Sequence, residues 1–152
     1  MKDLRGDAAA QVVASSSECF QLLLAIERYP EWHPDVVRLA EVTRRGAGGW
    51  PTMATTTVHL GVGPLHRDFR LVMEVDTTPD HQVSLTRVPH DSSDPERFIV
   101  AWHIEPGPTT RLAMELRATL DVPRLLPLRG VGDAVAQGFV AAAGDELARR
   151  AG

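Results

Sequence analysis

Between residues 37 and 120 the chain turns back on itself repeatedly through short segments rich in Gly, Pro and Asp, with no helical pattern between them. Strands joined by such short links run antiparallel, because a parallel crossover takes a dozen or more residues. Turn chemistry falls at residues 45–49 (RGAGG), 61–64 (GVGP), 79–80 (PD), 90–95 (HDSSDP) and 105–108 (EPGP). The segments between them predict strands over 37–43, 52–60, 66–75, 81–88, 98–105 and 111–120, the last being the longest. Phe69, Leu71, Met73 and Val75 oppose Asp68, Arg70 and Glu74. Val83 and Leu85 share a phase, as do Phe98, Val100, Trp102 and Ile104, and Leu112, Met114, Leu116, Ala118 and Leu120. One apolar and one solvated face mark a sheet packed on one side only.

The flanks supply what that face packs against. Residues 8–14, with Val12 and Val13, predict a first strand, and the polar residues 1–7 are expected to fray. Ser15, Ser16 and Ser17 offer an N-cap, with Glu18 placed to suit the helix dipole. Phe20, Leu23, Leu24 and Ile26 form the apolar face of the helix that follows; Pro30 ends it, and a short helical turn is expected at 31–36. At the other end Val131, Val135, Phe139, Ala143 and Leu147 recur at i, i+4 steps, predicting a helix over 131–150. The reading is an α+β fold: a curved antiparallel sheet of about six or seven strands wrapped around a long C-terminal helix, with two short helices after strand 1, in one domain spanning 8–150.

Length and composition exclude several classes. A chain of 152 residues suits one domain and buries a real core without staples. The single cysteine, Cys19, excludes an internal disulfide and sits among apolar neighbours, as a buried thiol would. A net charge of −4 with no basic stripe argues against a nucleic-acid partner. No run approaches 18 apolar residues, so no integral membrane segment is expected. The N-terminus lacks an apolar signal core, which predicts a cytoplasmic protein, as monomer or homodimer. Abundant Ala, Gly, Arg and Pro beside one lysine suggest a GC-rich bacterial genome.

Two features point to unfilled space under the sheet. The last helix carries Gly132, Gly138 and Gly144, and glycine inside a helix costs about 1 kcal/mol relative to alanine. They serve either open volume or close helix–sheet packing. The Pro-broken link 121–130 carries Leu125, Leu126 and Leu128, which need an apolar surface to cover, either a pocket mouth or a second molecule.

The order of elements, the Ser17-Glu18-Cys19-Phe20 helix start and the Tyr29-Pro30-Glu31-Trp32 element with Pro34 together resemble the START-like superfamily, also called SRPBCC, helix-grip or Bet v 1-like. Within it the chain is similar to the bacterial polyketide cyclase/dehydrase and lipid transport group, over roughly residues 8–150. The resemblance implies a deep hydrophobic cavity between sheet and last helix, and ligands such as small lipids, isoprenoids or polyketides. It implies no reaction, since function does not follow from fold. Aromatase/cyclase members place Arg, Tyr, Trp and His side chains in the cavity, and none of these matches residue by residue here; Tyr29, the one tyrosine, belongs to the structural turn.

The inward phase supplies the candidate cavity wall: Phe69, Leu71 and Met73, then Leu85, then Phe98, Val100 and Trp102, then Met114 and Leu116. Trp32, Leu126, Val135 and Phe139 join them from the helices and the link. Arg67 and Arg87 share the inward phase and either hold an anionic or enolate oxygen there or snorkel to water from strand ends. His33, beside Trp32, is either an acid–base group at the cavity entrance or a solvent-facing turn residue. No catalytic residue is assigned beyond these three candidates. Trp50, on a turn, is a mouth residue or a surface anchor. The six histidines show no HxH or HExxH spacing, with His59, His66 and His103 on solvated phases, and no P-loop, GxSxG or dinucleotide motif occurs, so neither metal nor cofactor is expected. The first functional expectation is a binder or carrier of a small hydrophobic molecule; the second, a polyketide cyclase or aromatase; the third, an interaction module docking through residues 125–128.

Overall fold

The computed structural model describes residues 1–62, 65–123 and 125–152. Gly63 and Pro64 of the expected 61–64 turn, and Arg124 of the link, lie outside the described residues. Seven strands run as β1 (Lys2–Val12), β2 (Val37–Arg45), β3 (Pro51–Val62), β4 (Leu65–Thr78), β5 (Gln82–Arg87), β6 (Arg97–Glu105) and β7 (Thr110–Leu120). The helices are α1 (Ser16–Leu24), α2 (Tyr29–Trp32) and α3 (Val131–Ala151), with a single 3₁₀ turn at Ile26–Arg28. The strands form one antiparallel sheet in the order β1-β7-β6-β5-β4-β3-β2. All links from β2 to β7 join neighbours. Only the return to β1 crosses over, and α1 and α2 sit in that crossover.

The alternation is met position by position. Phe69, Leu71, Met73 and Val75 are buried, as are Val83 and Leu85, Phe98 through Ile104 at every second residue, and Leu112 through Leu120 likewise. β4, at 14 residues, is the longest strand, rather than β7 at 11. The first strand differs more. Residues 1–7 are not frayed: Lys2 pairs with Leu120 and the ladder runs without a break to Val12 opposite Thr110. A polar terminus is held here because β7 would otherwise be an unpaired edge, and because Leu4 is inward and buried.

α1 starts where the serines predicted. Ser15 Oγ accepts the Glu18 N–H at 3.1 Å and the Glu18 carboxylate accepts the Ser15 N–H at 3.0 Å, a reciprocal capping box. That pair of bonds holds the Glu18 carboxyl below its usual range. The helix ends at Leu24, before Pro30. Pro30 instead lies in the first turn of α2, where a missing N–H and a preset φ cost nothing. The second helical turn therefore falls at Tyr29–Trp32 rather than at 31–36. Tyr29 is buried, and its hydroxyl donates to the Leu23 carbonyl, so it locks α2 onto the end of α1. Cys19 is wholly buried, and burial pushes its thiol up to about 11, which makes it an inert part of the core.

α3 lies along β1 and β7. Its glycines divide between the two expected roles. A Cβ on Gly132 would stand 2.0 Å from the Arg5 carbonyl oxygen, and one on Gly6 would stand 1.9 Å from the Gly132 oxygen. Helix and strand backbones touch there, and only glycine on both sides permits it. At Gly138 the nearest atom to an added Cβ is His33 Cε1 at 3.9 Å, an ordinary contact, so a methyl group would fit there.

Candidate functional site

The concave face of the sheet, closed by α2 and α3, encloses an apolar chamber. Its wall is Tyr29, Val37, Thr56, Val58, Leu71, Met73, Leu85, Phe98, Val100, Trp102, Met114, Leu116 and Phe139. Nine of these belong to the wall expected from strand phase and helix spacing: Leu71, Met73, Leu85, Phe98, Val100, Trp102, Met114, Leu116 and Phe139. The other four expected wall residues lie elsewhere. Phe69 and Leu126 line a second apolar pocket at the far end of the barrel-like interior, with Leu4, Leu60, Leu120 and Leu128. Val135 lines an open surface groove. Trp32 is buried behind the chamber, against Tyr29 and Trp102.

Four wall residues were not foreseen: Tyr29, Val37, Thr56 and Val58. Consecutive threonines at 55, 56 and 57 hide the alternation in β3, since a threonine suits either face. The signal was present in Ala54, Val58 and Leu60, which share the phase of Thr56 and are all buried. Tyr29 serves both the turn and the wall.

The chamber is far smaller than a hollow between sheet and helix implies. It encloses about 40 Å³, well short of the roughly 300–1,000 Å³ of a usual ligand site. A roomier space lies outside it. Between the first half of α3 and the β3–β4 hairpin runs an open groove of about 270 Å³, lined by His33, Val36, His59, Leu60, Gly61, Val131, Ala134, Val135 and Gly138. On its rim His59 Nδ1 donates to Asp68 Oδ1 at 2.6 Å, and the His59 ring stacks on His66.

His33 connects the two spaces. Its ring stands edge to face with Phe139, centroids 4.5 Å apart, and stacks against Trp32 at 6.2 Å. It is half-buried rather than solvent-facing. Burial holds its pKa below the ordinary imidazole range, against a weaker opposing pull from Asp35, so the ring is neutral at pH 7. Its buried Nε2 has no hydrogen-bond partner, and neither do the buried Nε1 atoms of Trp32 and Trp102.

The two arginines do not reach the chamber. Arg67 lies at the start of β4 with 41% of its side chain exposed; its guanidinium donates to the Asp121 carbonyl at 2.7 Å and sits 4.2 Å from the Phe69 ring centre. It snorkels as a strand-end residue does. Arg87 is only 14% exposed, and both arms of its fork are engaged: Nη1 donates to the Glu96 carbonyl at 2.8 Å and Nη2 to Asp94 Oδ2 at 2.6 Å. Asp94 also accepts N–H bonds from His90 and Glu96. Arg87 and these bonds hold the Asp94 carboxyl down to about 2. The pair therefore clasps the polar loop between β5 and β6. Trp50 packs edge-on against Phe20 at 5.4 Å and lines neither the chamber nor the groove. Leu125 is 95% exposed, while Leu126 and Leu128 turn inward over the second pocket, so the link covers that pocket and not the chamber. Among the described residues no helix is long and apolar enough to cross a membrane, and no group of three His, Cys, Asp or Glu side chains is placed to hold a metal ion.

A curved antiparallel sheet gripping a C-terminal helix, with two short helices in the first crossover and an apolar chamber between, defines the START-like, helix-grip class. Solved structures of that class superpose on nearly the whole chain. A START superfamily protein from Mycobacterium smegmatis aligns with a TM-score of 0.75 at 16% identity, over 96% of this chain and 98% of that one. The Zhui aromatase/cyclase from Streptomyces sp. R1128 aligns with a TM-score of 0.69 at 12% identity, over 99% and 97%. The di-domain aromatase/cyclase StfQ from the steffimycin biosynthetic pathway aligns at 0.66 and 14%, over 98% of this chain and 52% of that one. At these identities the likeness is one of fold. No curated protein matches by sequence. The sequence profile of the polyketide cyclase/dehydrase and lipid transport family matches residues 12–143, and the chain belongs to that family.

Proposed function

We propose that this protein binds and carries a small hydrophobic molecule (a lipid, isoprenoid or polyketide-like compound) in the interior between sheet and α3. The observation that carries the reading is the chemistry of the chamber wall. Only two of its residues, Tyr29 and Thr56, bear a hydroxyl, and none bears a charge. The Tyr29 hydroxyl is already donated to Leu23, and Arg67 and Arg87 are committed to backbone and carboxylate partners. Such a wall offers apolar burial and very little acid–base chemistry. Since ligand sites usually span about 300–1,000 Å³, occupation requires the chamber to widen beyond its resting size. Purified protein is expected to retain an apolar molecule by native mass spectrometry, or to bind the neutral probe 1-N-phenylnaphthylamine saturably at one per chain. Neither result being obtained removes the reading.

A second reading, a polyketide cyclase or aromatase, draws on His33, whose neutral ring lies beside the chamber with an unpartnered nitrogen. It expects turnover of a poly-β-ketone that is lost in His33→Gln; absence of turnover in the wild type ends it. A third reading, an interaction module, rests on the exposed Leu125. It expects a dimer or bound partner lost in Leu125→Asp.

A further inference from the structure

The chamber and the groove lie back to back, and one ring from each meets the other between them. Phe139 is in the chamber wall and His33 in the groove floor, and the two meet edge to face. α3 leaves the imidazole uncovered on the groove side, since Gly138 presents no side chain above it.

The hydrogen-bond inventory is unusual at the same place. Among the described residues, the buried side-chain nitrogens that lack a partner are Trp32 Nε1, His33 Nε2 and Trp102 Nε1. All three belong to one cluster of five rings, with Tyr29 and Phe139, in which Trp32 meets Tyr29 at 5.1 Å and Trp102 at 6.5 Å, and Trp102 meets Phe139 at 6.2 Å. A buried donor left without a partner costs about 1–3 kcal/mol, and Trp102, the one of the two indoles in the chamber wall, calls for an acceptor that arrives from outside. An indole N–H only donates. The matching group is therefore an acceptor oxygen, such as a carbonyl. A carboxylate would find no cation facing the chamber, and burying an unpaired charge is far more costly than burying a ketone.

We propose that groove and chamber are two halves of one binding site for a neutral, elongated apolar molecule carrying a hydrogen-bond-accepting oxygen, with the His33–Phe139 ring pair as the gate and the indole N–H of Trp102, in the chamber wall, as the acceptor's partner. This rests on the reading that the helix–sheet interior binds a ligand, and adds to it the route and the ligand's chemistry.

The test uses the intact chain with 2-undecanone and decanoate as probes at pH 8, where decanoate is ionised. Binding is followed by the three tryptophan indole N–H resonances, and association by stopped-flow fluorescence. The ketone is expected to bind saturably and to shift the Trp102 signal but not that of Trp50, with decanoate at least tenfold weaker. Phe139→Ala, or Phe139→Leu if the alanine variant does not fold, is expected to speed association at least tenfold. Ala134→Trp, which adds bulk at an exposed groove position, is expected to slow it at least tenfold with thermal stability unchanged. Equal affinity for decanoate overturns the assigned chemistry. Ketone binding with association unchanged in both variants overturns the gate while leaving interior binding intact. No binding of either probe to wild type or to the Phe139 variant overturns this proposal and the underlying ligand reading together.

Discussion

α3 meets the rest of the molecule in two contrasting ways. Along β1, Gly132 and Gly6 bring two backbones into direct contact, with no room for a methyl group on either side. Less than two turns further on, Gly138 lies in the groove beside His33, where an added Cβ would make only ordinary contact with the ring. The same residue type in one helix thus anchors one end and vacates the other. A glycine in a helix is ambiguous until its neighbour is known: it permits contact where backbone approaches, and leaves a gap where only the edge of a ring does. The anchored seam fixes α3 on the sheet, and the looser stretch borders the open groove.

The seam is the place to break this contrast. Gly132→Ala gains about 1 kcal/mol of helix propensity, but its methyl group would overlap the Arg5 carbonyl. Overpacking against backbone that cannot rotate away is expected to cost roughly 3 kcal/mol or more, which lowers Tm by about 6–12 °C for a chain of this size. Calorimetry checks it, and an unchanged Tm would mean that the seam is not tight. Combining Gly6→Ala with Gly132→Ala should be non-additive by about 0.5–3 kcal/mol, because both methyl groups force the same separation; additive losses would show two independent contacts. Gly138→Ala should do the opposite of Gly132→Ala, raising stability by up to about 1 kcal/mol, since its Cβ makes only ordinary contact with His33. A loss there would show the groove to be closed.

The gentlest probe is pH. Burial lowers the His33 pKa in the folded chain, so as pH falls the unfolded chain takes up its proton first. Stability from this residue is full above the ordinary imidazole pKa of about 6.5 and is lost as pH falls from there towards the depressed folded value. Replacing His33 with Leu should flatten that part of the stability profile, measured by denaturant melts between pH 7.5 and 5. An unchanged slope would place the imidazole in water. The Asp94 carboxyl, held to about 2, acts in a separate and more acidic window, with stability present above the ordinary carboxylate range and lost below it.

Most of the fold was legible from residue order because alternation and turn chemistry are local. Phe69, Leu71 and Met73 declare their face without help from any other strand, and Ser15 with Glu18 declares the start of α1. Only the second part of the first strand was legible, because residues 1–7 look unfit to be ordered until β7 offers an unpaired edge. The site was legible to the extent that it is made of sheet face. Its helical members depended on packing: Trp32 falls behind the chamber, Val135 outside it, and Leu126 at another pocket.

Sequence alone determined that this chain is a one-sided antiparallel sheet closed by a final amphipathic helix, since period and turns suffice to specify strands, faces and order. Tertiary structure alone decided how far the interior is filled, which glycine makes contact and which leaves a gap, and that both candidate arginines are already engaged. The reason is physical. Secondary structure follows from interactions within a few residues, whereas a cavity is a small difference between large volumes, and a guanidinium takes whatever acceptor the folded chain brings within 3 Å.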